Sequence, residues 1–186
     1  MNAQPLSQAI DSTKAVLAAV TKEQLVNPTP CALWDVAGLI NHMVGAQYFF
    51  LAGATGAKPE SDAADFAAGD FVAAFDDASS QVLAAFSADG VMDSTLNTPM
   101  GPMPGAAFAG LASTDTFVHG WDLAKAIGQN TDLAPELAEG LLAGAKQSIQ
   151  DAFRGPEGAA PFGVQQEAPA GASAADRLAA FLGRTV

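Results

Sequence analysis

Apolar residues recur every three or four positions along most of the chain, which is the spacing of helices that bury one face. Together with the helix-start signals Asp35 and Pro135, this periodicity predicts five helices and a short sixth one at the C-terminus. The predicted ranges are about 6–20, 35–51, 66–86, 106–127, 135–154 and 174–182.

Prolines and glycines mark the connections between these helices. Residues 27–30 form a stiff connector, and residues 53–65 and 155–171 are expected to be irregular. Residues 89–105 make a long connection whose last part, 98–105, contains three prolines and two glycines that exclude regular helix. The pattern therefore predicts an all-α four-helix bundle with a long crossover connection and a short C-terminal helix, as a single domain over residues 1–186.

Composition supports a globular helical chain and excludes some partners. Hydrophobic residues make up 49% and charged residues 15%, and much of the apolar share is alanine, which favours helix. The net charge of −12 and only eight scattered basic residues argue against nucleic acid and against an anionic membrane surface, because both need clustered Lys and Arg.

Cysteine content and the N-terminal sequence suggest a compartment. A single cysteine, Cys31, excludes an internal disulfide and suits a reducing environment. Residues 1–5 have neither the basic nor the apolar region of a signal peptide, and no apolar run reaches the roughly 18 residues of a membrane span. We therefore expect a cytoplasmic protein without membrane association.

The chemistry that stands out lies on two predicted helices. His42 and His119 are the only histidines, and both occur in mostly apolar runs. Asp115 precedes His119 by four residues and Asp122 follows it by three, so all three share one helix face. Because buried charge is costly unless paired, hydrogen-bonded or metal-bound, we interpret His42, Asp115 and His119 as ligands of a metal site between two helices. Three protein ligands leave coordination positions open, as in catalytic sites.

Each of these residues also has an ordinary structural interpretation. The histidines could be hydrogen-bonded core residues, and Asp115 could hold a histidine ring instead of binding the ion. For Asp122, orienting a ligand or capping a turn is favoured over direct ligation.

Other conspicuous side chains are more typical of packing than of chemistry. Cys31 could be a nucleophile, but a buried structural thiol is favoured because both histidines are used elsewhere. Trp34 and Trp121 are interpreted as core anchors, and Met100 and Met103 either line a pocket mouth or pack under the crossover. The aromatic stripe of the third helix is interpreted as core.

Four motifs together resemble the DinB-like superfamily, and in particular its actinobacterial branch related to the N-terminal domain of mycothiol-dependent maleylpyruvate isomerase. They are PTPCALWDV at 28–36, LINH at 39–42, VHGWDLA at 118–124 and RLAAFLGR at 177–184. The resemblance implies a four-helix bundle with a divalent metal, commonly zinc or nickel, held by a second-helix histidine and two residues of a later helix. The matching positions are His42, Asp115 and His119. The isomerases typically have glutamate at the position of Asp115, and they carry a further C-terminal domain that residues 1–186 do not include.

Three functions follow as expectations. The leading one is a metal-dependent thiol transferase or isomerase whose ion activates a small thiol such as mycothiol, which lacks a free carboxylate and so needs few basic residues. The second is a metal-dependent hydrolase, and the third is a non-enzymatic bundle that binds a metal or a small ligand. The expected partner is a small-molecule substrate or thiol, and a homodimer is one candidate oligomeric state.

Overall fold

The computed structural model describes residues 2–57, 64–156 and 158–186. Within these ranges the chain forms six α-helices and one two-stranded sheet. The helices are α1 Gln4–Leu17, α2 Val36–Thr55, α3 Phe71–Ser87, α4 Gly105–Ala126, α5 Pro135–Ser148 and α6 Ala174–Phe181. The strands are β1 Thr95–Thr98 and β2 Gly101–Pro104. Short 3-10 turns occupy Lys22–Val26, Phe66–Ala68 and Asp151–Phe153.

The six predicted helices are confirmed, with shifted ends. Asp35 caps α2 as expected, since its carboxylate accepts a hydrogen bond from the amide of Gly38 at 2.8 Å. α3 starts later than predicted because Asp70 caps it, accepting from the amide of Ala73 at 3.0 Å. α5 ends at Ser148 and not near residue 154. α2 covers the start of the predicted loop 53–65, and residues 58–63 of that loop lie outside the described residues.

The crossover connection contains a short two-stranded sheet that the sequence analysis did not predict. β1 and β2 pair antiparallel there, with Leu96 opposite Met103, and both of these side chains pack against the main core. The prolines that suggested irregular chain are compatible with a two-stranded sheet, because both of its strands are edges. Met103 is thus a packing residue, whereas Met100 in the turn is largely exposed.

Four helices form the bundle that carries the site. α1 packs most extensively on α4 and α2 on α3, while contacts of α2 with α4 and of α1 with α3 close the ring. The main core lies between them and includes the buried Leu39, Phe75, Phe86 and Phe108. α5 and α6 pack on each other and cover the outer side of α4, with Trp121 and Leu178 in a second core. In the described part of the chain, no helix has both the length and the apolar character that crossing a membrane requires.

A close approach of α1 and α4 fixes the position of the motif-bearing helix. The hydroxyl of Thr13 donates to the carbonyl oxygen of Thr116 at 2.9 Å. A Cβ atom on Gly120 would lie only 2.4 Å from the Thr13 hydroxyl oxygen, so this contact requires glycine. The glycine next to His119 therefore serves helix packing.

Candidate metal centre

Helices α2 and α4, which pack against each other in the bundle, bring the candidate ligands together. His42 lies in the second turn of α2, and Asp115 and His119 lie one turn apart on α4. The Nε2 atoms of the two imidazole rings are 3.1 Å apart. A carboxylate oxygen of Asp115 lies 3.6 Å from Nε2 of His119 and 4.0 Å from Nε2 of His42. The three side chains predicted as ligands thus point their ligand atoms at a common point.

The size of this triangle suits a single ion. Protein ligands of zinc lie at about 2.0–2.2 Å, so two such atoms at a tetrahedral angle are roughly 3.3–3.6 Å apart. The observed separations of 3.1, 3.6 and 4.0 Å bracket that value. Two imidazole nitrogens and one carboxylate oxygen are also a ligand set that zinc and nickel accept. The residues therefore fit a divalent ion.

The protonation of His42 favours ligation. Burial, together with the neighbouring His119 ring, lowers the pKa of His42 to about 4, although the charge of Asp115 acts in the opposite direction. The imidazole is therefore neutral near neutral pH, which is the form that binds metals. Without an ion, the 3.1 Å separation is explained by a hydrogen bond from Nε2–H of His42 to the lone pair of Nε2 of His119.

Asp122 holds the other side of the His119 ring. Nδ1 of His119 donates to Oδ2 of Asp122 at 3.0 Å, and the Asp122 side chain is fully buried. Burial alone would raise the pKa of Asp122, but the bond from His119 and the charge of Arg184 outweigh it and lower this pKa to about 2. An ionised Asp122 fixes the proton of His119 on Nδ1, so that Nε2 keeps its lone pair. Asp122 thus makes the contact with the ring that the orienting role, favoured by the sequence over ligation, requires.

Arg184 and Cys31 complete the surroundings of Asp122. Arg184 Nε lies 3.2 Å from Oδ1, and its Nη2 lies 3.0 Å from Oδ2. The thiol of Cys31 donates to Oδ2 at 3.3 Å. Although burial acts in the opposite direction, the charge and hydrogen bonds of Asp122 hold the pKa of Arg184 above its usual range. Cys31 is buried, as the favoured interpretation had it.

Among the described residues, Cys31, His119 and Asp122 form a second group with metal-ligand atoms close together. A cation already occupies this position, however. The Nη2 atom of Arg184 lies 3.6 Å from the sulfur of Cys31 and 3.0 Å from Asp122. A divalent ion here would be repelled by the guanidinium, so the group His42, Asp115 and His119 is the better candidate.

Trp34 packs against the main core, as predicted, and also contacts the candidate ligands. Its indole stacks on the imidazole of His42, with ring centroids 4.3 Å apart and planes 21° from parallel, and meets the edge of His119 at 5.9 Å. Trp121, in contrast, is a core anchor as expected, and its Nε1 donates to Asp176 at 2.8 Å. The interpretation of Trp34 as a core residue was therefore incomplete, because the loop before α2 turns the ring onto the site.

A small cavity opens beside the ligands. It encloses about 50 Å³ and is lined by residues of α4, of the loop after α5 and of the C-terminal segment. Its lining comprises Leu111, Thr114, Asp115, Val118, His119, Pro161, Phe162, Leu182 and Arg184. The Asp115 side chain is 26% exposed, whereas that of His119 is only 9% exposed. The His42 side chain is 31% exposed. Solvent therefore reaches the ligand triangle at both His42 and Asp115.

All three candidate ligands lie in a part of the chain that matches a known protein family. A family model described as the mycothiol maleylpyruvate isomerase N-terminal domain matches residues 6–124. The chain belongs to this family. His42, Asp115, His119 and Asp122 all lie inside the match, while Arg184 lies beyond it.

Two curated relatives extend the similarity over almost the complete chain. Both are uncharacterized proteins of Mycobacterium tuberculosis, from strains CDC 1551 / Oshkosh and ATCC 25618 / H37Rv. Each is 42% identical over 179 residues, which cover 96% of this chain and 95% of the relative. No solved structure matches the chain significantly.

Proposed function

We propose that the chain is a single DinB-like domain, residues 1–186, that binds one divalent ion, zinc or nickel, and activates a small thiol at it. The ligands in this proposal are His42, Asp115 and His119. The observation that carries it is the convergence of their ligand atoms within 4.0 Å of one another on two packed helices. The reaction class is a thiol transfer or an isomerisation that passes through a thiol adduct.

The charge around the proposed ligands favours an anionic reactant. Asp122 and Arg184 neutralise each other behind His119, and His42 is neutral. The ligand set then contributes only the single negative charge of Asp115. A bound divalent ion would supply a net positive centre that stabilises a thiolate at neutral pH, where a thiol of pKa about 8.5 is otherwise mostly protonated.

The thiol in this proposal comes from a small molecule and not from the chain. The sulfur of Cys31 contacts Asp122, on the Nδ1 side of His119, whereas the ligand triangle lies on the Nε2 side. Mycothiol is the thiol that the family description names. Since small-molecule pockets typically enclose about 300–1,000 Å³, a cavity of about 50 Å³ admits the reacting end of such a thiol and leaves its body outside.

Asp122 and Trp34 have supporting roles in this proposal. Asp122 holds the His119 ring through the Nδ1 hydrogen bond, and Trp34 covers one face of His42 and keeps water from that side. The partners are a small substrate and a thiol, with nucleic acid disfavoured by the charge of −12. A cytoplasmic location, where a thiol stays reduced, belongs to the same proposal.

Metal content tests the ligand set. Protein purified without a histidine tag should contain about one divalent ion per chain, and His42→Ala and His119→Ala should each abolish stoichiometric binding. Asp115→Asn should weaken binding by about tenfold or more, since the amide lacks the attracting charge. Asp11→Asn, an exposed change on α1, is the matched control and should bind as wild type. Unchanged metal content in both histidine variants would contradict the ligand set.

A conjugation assay tests the reaction class. Activity towards soft electrophiles with mycothiol or a simpler thiol should require both the thiol and the ion, and Cys31→Ser should retain it. A rate that is indifferent to chelator, or that is lost only in Cys31→Ser, would indicate a cysteine mechanism instead. Ester or amide hydrolysis without any thiol reaction would favour a hydrolase, and tight metal binding with neither activity would favour a binding protein.

A further inference from the structure

Arg184, two residues before the last residue of the sequence, contacts the site. It lies 62 residues after Asp122, yet its guanidinium contacts both oxygens of that carboxylate, at 3.2 and 3.0 Å. Its Nη1 also donates to the carbonyl oxygen of Leu182 at 3.3 Å. The side chain is only 16% exposed, and a guanidinium this buried requires a paired anion. The two-pronged contact fixes the plane of the carboxylate as well as its position.

The fixed carboxylate is connected directly to a candidate ligand. Oδ2 of Asp122, which contacts Arg184, also accepts the hydrogen bond from Nδ1 of His119 at 3.0 Å. The Nε2 atom of the same ring belongs to the ligand triangle. Carboxylates that hold the second nitrogen of a ligating histidine fix its tautomer and its direction, and their loss weakens metal sites. The contact of Arg184 with Asp122 is therefore one further link in the hydrogen-bond network that reaches His119.

The chain after α6 is built to deliver Arg184 to this position. Gly183 has a φ of 102°, in the region that favours glycine, and a Cβ atom there would lie 2.5 Å from Cα of Gly163. The backbone closes this turn with hydrogen bonds from the amide of Arg184 to Ala179 O at 3.0 Å and from Gly163 to Leu182 O at 3.2 Å. The direction of the final residues is therefore set by backbone contacts that do not involve the site.

We propose that Arg184 is a positioning residue of the metal centre, which acts through Asp122 to keep Nε2 of His119 directed at the ion. This inference rests on the proposed function. It assigns a role to the C-terminal segment, which lies beyond the matched residues 6–124. The planar fork of arginine is what the arrangement uses, so lysine, with a single point of contact, replaces it only in part.

Two variants of Arg184 and one matched control test the proposal. Arg184→Gln removes both contacts with Asp122, and Arg184→Lys keeps the charge without the fork. Arg177→Gln is the control, because Arg177 lies in α6, seven residues before Arg184, and pairs with Glu139 instead of Asp122. Zinc affinity is measured by competition with a chromophoric chelator. The tautomer of His119 is measured in the metal-free protein from imidazole ¹⁵N shifts, with the folded state checked by circular dichroism.

The expected results separate positioning from general stability. Arg184→Gln should bind zinc about 10- to 100-fold more weakly, and its His119 should lose the pure Nδ1–H tautomer. Arg184→Lys should lie between this variant and wild type, and Arg177→Gln should match wild type in both measurements. Folded Arg184→Gln with wild-type affinity and tautomer would overturn the proposal. If that variant does not fold, wild-type values in Arg184→Lys would overturn it.

Failure of the proposed function gives a different pattern. Wild-type protein would then bind no zinc at the histidines, whereas the tautomer measurement in metal-free protein would still report the effect of Arg184 on His119. A tautomer that changes in Arg184→Gln without any zinc binding in wild type would therefore contradict the metal centre and leave the hydrogen-bond arrangement intact. Zinc binding in wild type that Arg184→Gln leaves unchanged would contradict the role of Arg184 alone.

Discussion

Trp34 lies nearly flat on the imidazole ring of His42, with 4.3 Å between the ring centroids. The two residues are eight positions apart, one in the loop before α2 and one in the second turn of the helix. Gly38 lies between them, and a Cβ atom there would lie 3.2–3.3 Å from Trp34 Cβ and Cδ1. The absence of a side chain at Gly38 lets the indole lie close to the helix, so the local sequence of the α2 N-terminus sets the orientation of a candidate metal ligand.

Substitution of Gly38 should separate metal affinity from stability. Gly38→Ala should push Trp34 away from His42 and weaken zinc binding a few-fold, because the ring loses the surface that fixes its plane. The free energy of unfolding should not fall, since alanine is the better helix former. Gly45→Ala, three residues after His42 with no atom within 4 Å of the added Cβ, is the control. Equal zinc affinity in the two variants, measured by chelator competition, would show that the stack does not orient His42.

The helices could be predicted from sequence because their signals are local. Asp35 and Pro135 start α2 and α5 where expected, and Gly128 follows the end of α4 with a φ of 73°. The hairpin was missed because its stability comes from contacts distant in sequence. Leu96 and Met103 pack on the main core, and nothing in two four-residue strands, one of which contains two prolines, indicates this.

The difference between local signals and contacts distant in sequence also explains which residues of the site could be predicted and which were missed. Asp115, His119 and Asp122 are related by helix periodicity, and His42 is the only other histidine, so sequence spacing could bring them together. Arg184 is 62 residues from its partner, and its position depends on how α6 and the turn at Gly183 pack. Two sequence signals for Arg184 were available. It is the last residue of the RLAAFLGR motif at 177–184, and the second signal was indirect. The buried Asp122 needed a cation, and few of the eight basic residues were available to supply one.

Substitution of Gly120 should destabilise the bundle without changing the ligands. A Cβ atom there would lie 2.4 Å from the hydroxyl oxygen of Thr13 and 3.3 Å from its Cα, so α1 must move and the bond to Thr116 must break. We expect Gly120→Ala to lower the free energy of unfolding by about 1–3 kcal/mol in urea denaturation. Gly110→Ala, an exposed change on the same helix with open space around the Cβ, should raise it by up to about 1 kcal/mol. Similar values for the two variants would contradict the close approach of α1 and α4.

The metal-free protein should lose stability on mild acidification because of His42. The pKa of His42 is about 4 in the folded chain and about 6.5 for an unburied histidine, so the unfolded chain takes up the proton first. The contribution of the neutral His42 to the free energy of unfolding is therefore complete above about pH 6.5 and is lost as the pH falls towards 4. Asp122, with a pKa of about 2 against an ordinary 3.8, adds its own loss only below about pH 3.8. The two groups thus act in separate pH windows.

Urea denaturation in the presence of chelator at about pH 7 and about pH 5 isolates the first window. The wild-type free energy of unfolding should fall by roughly 2 kcal/mol from His42 alone, since each pKa unit corresponds to about 1.4 kcal/mol. His42→Gln, which cannot be protonated in this range, should show a correspondingly smaller fall, because the other titrating groups are common to both proteins. The same protonation competes with the ion, so wild-type zinc affinity should also decrease over this window. An identical pH dependence of unfolding in wild type and His42→Gln would contradict a lowered pKa of the His42 imidazole.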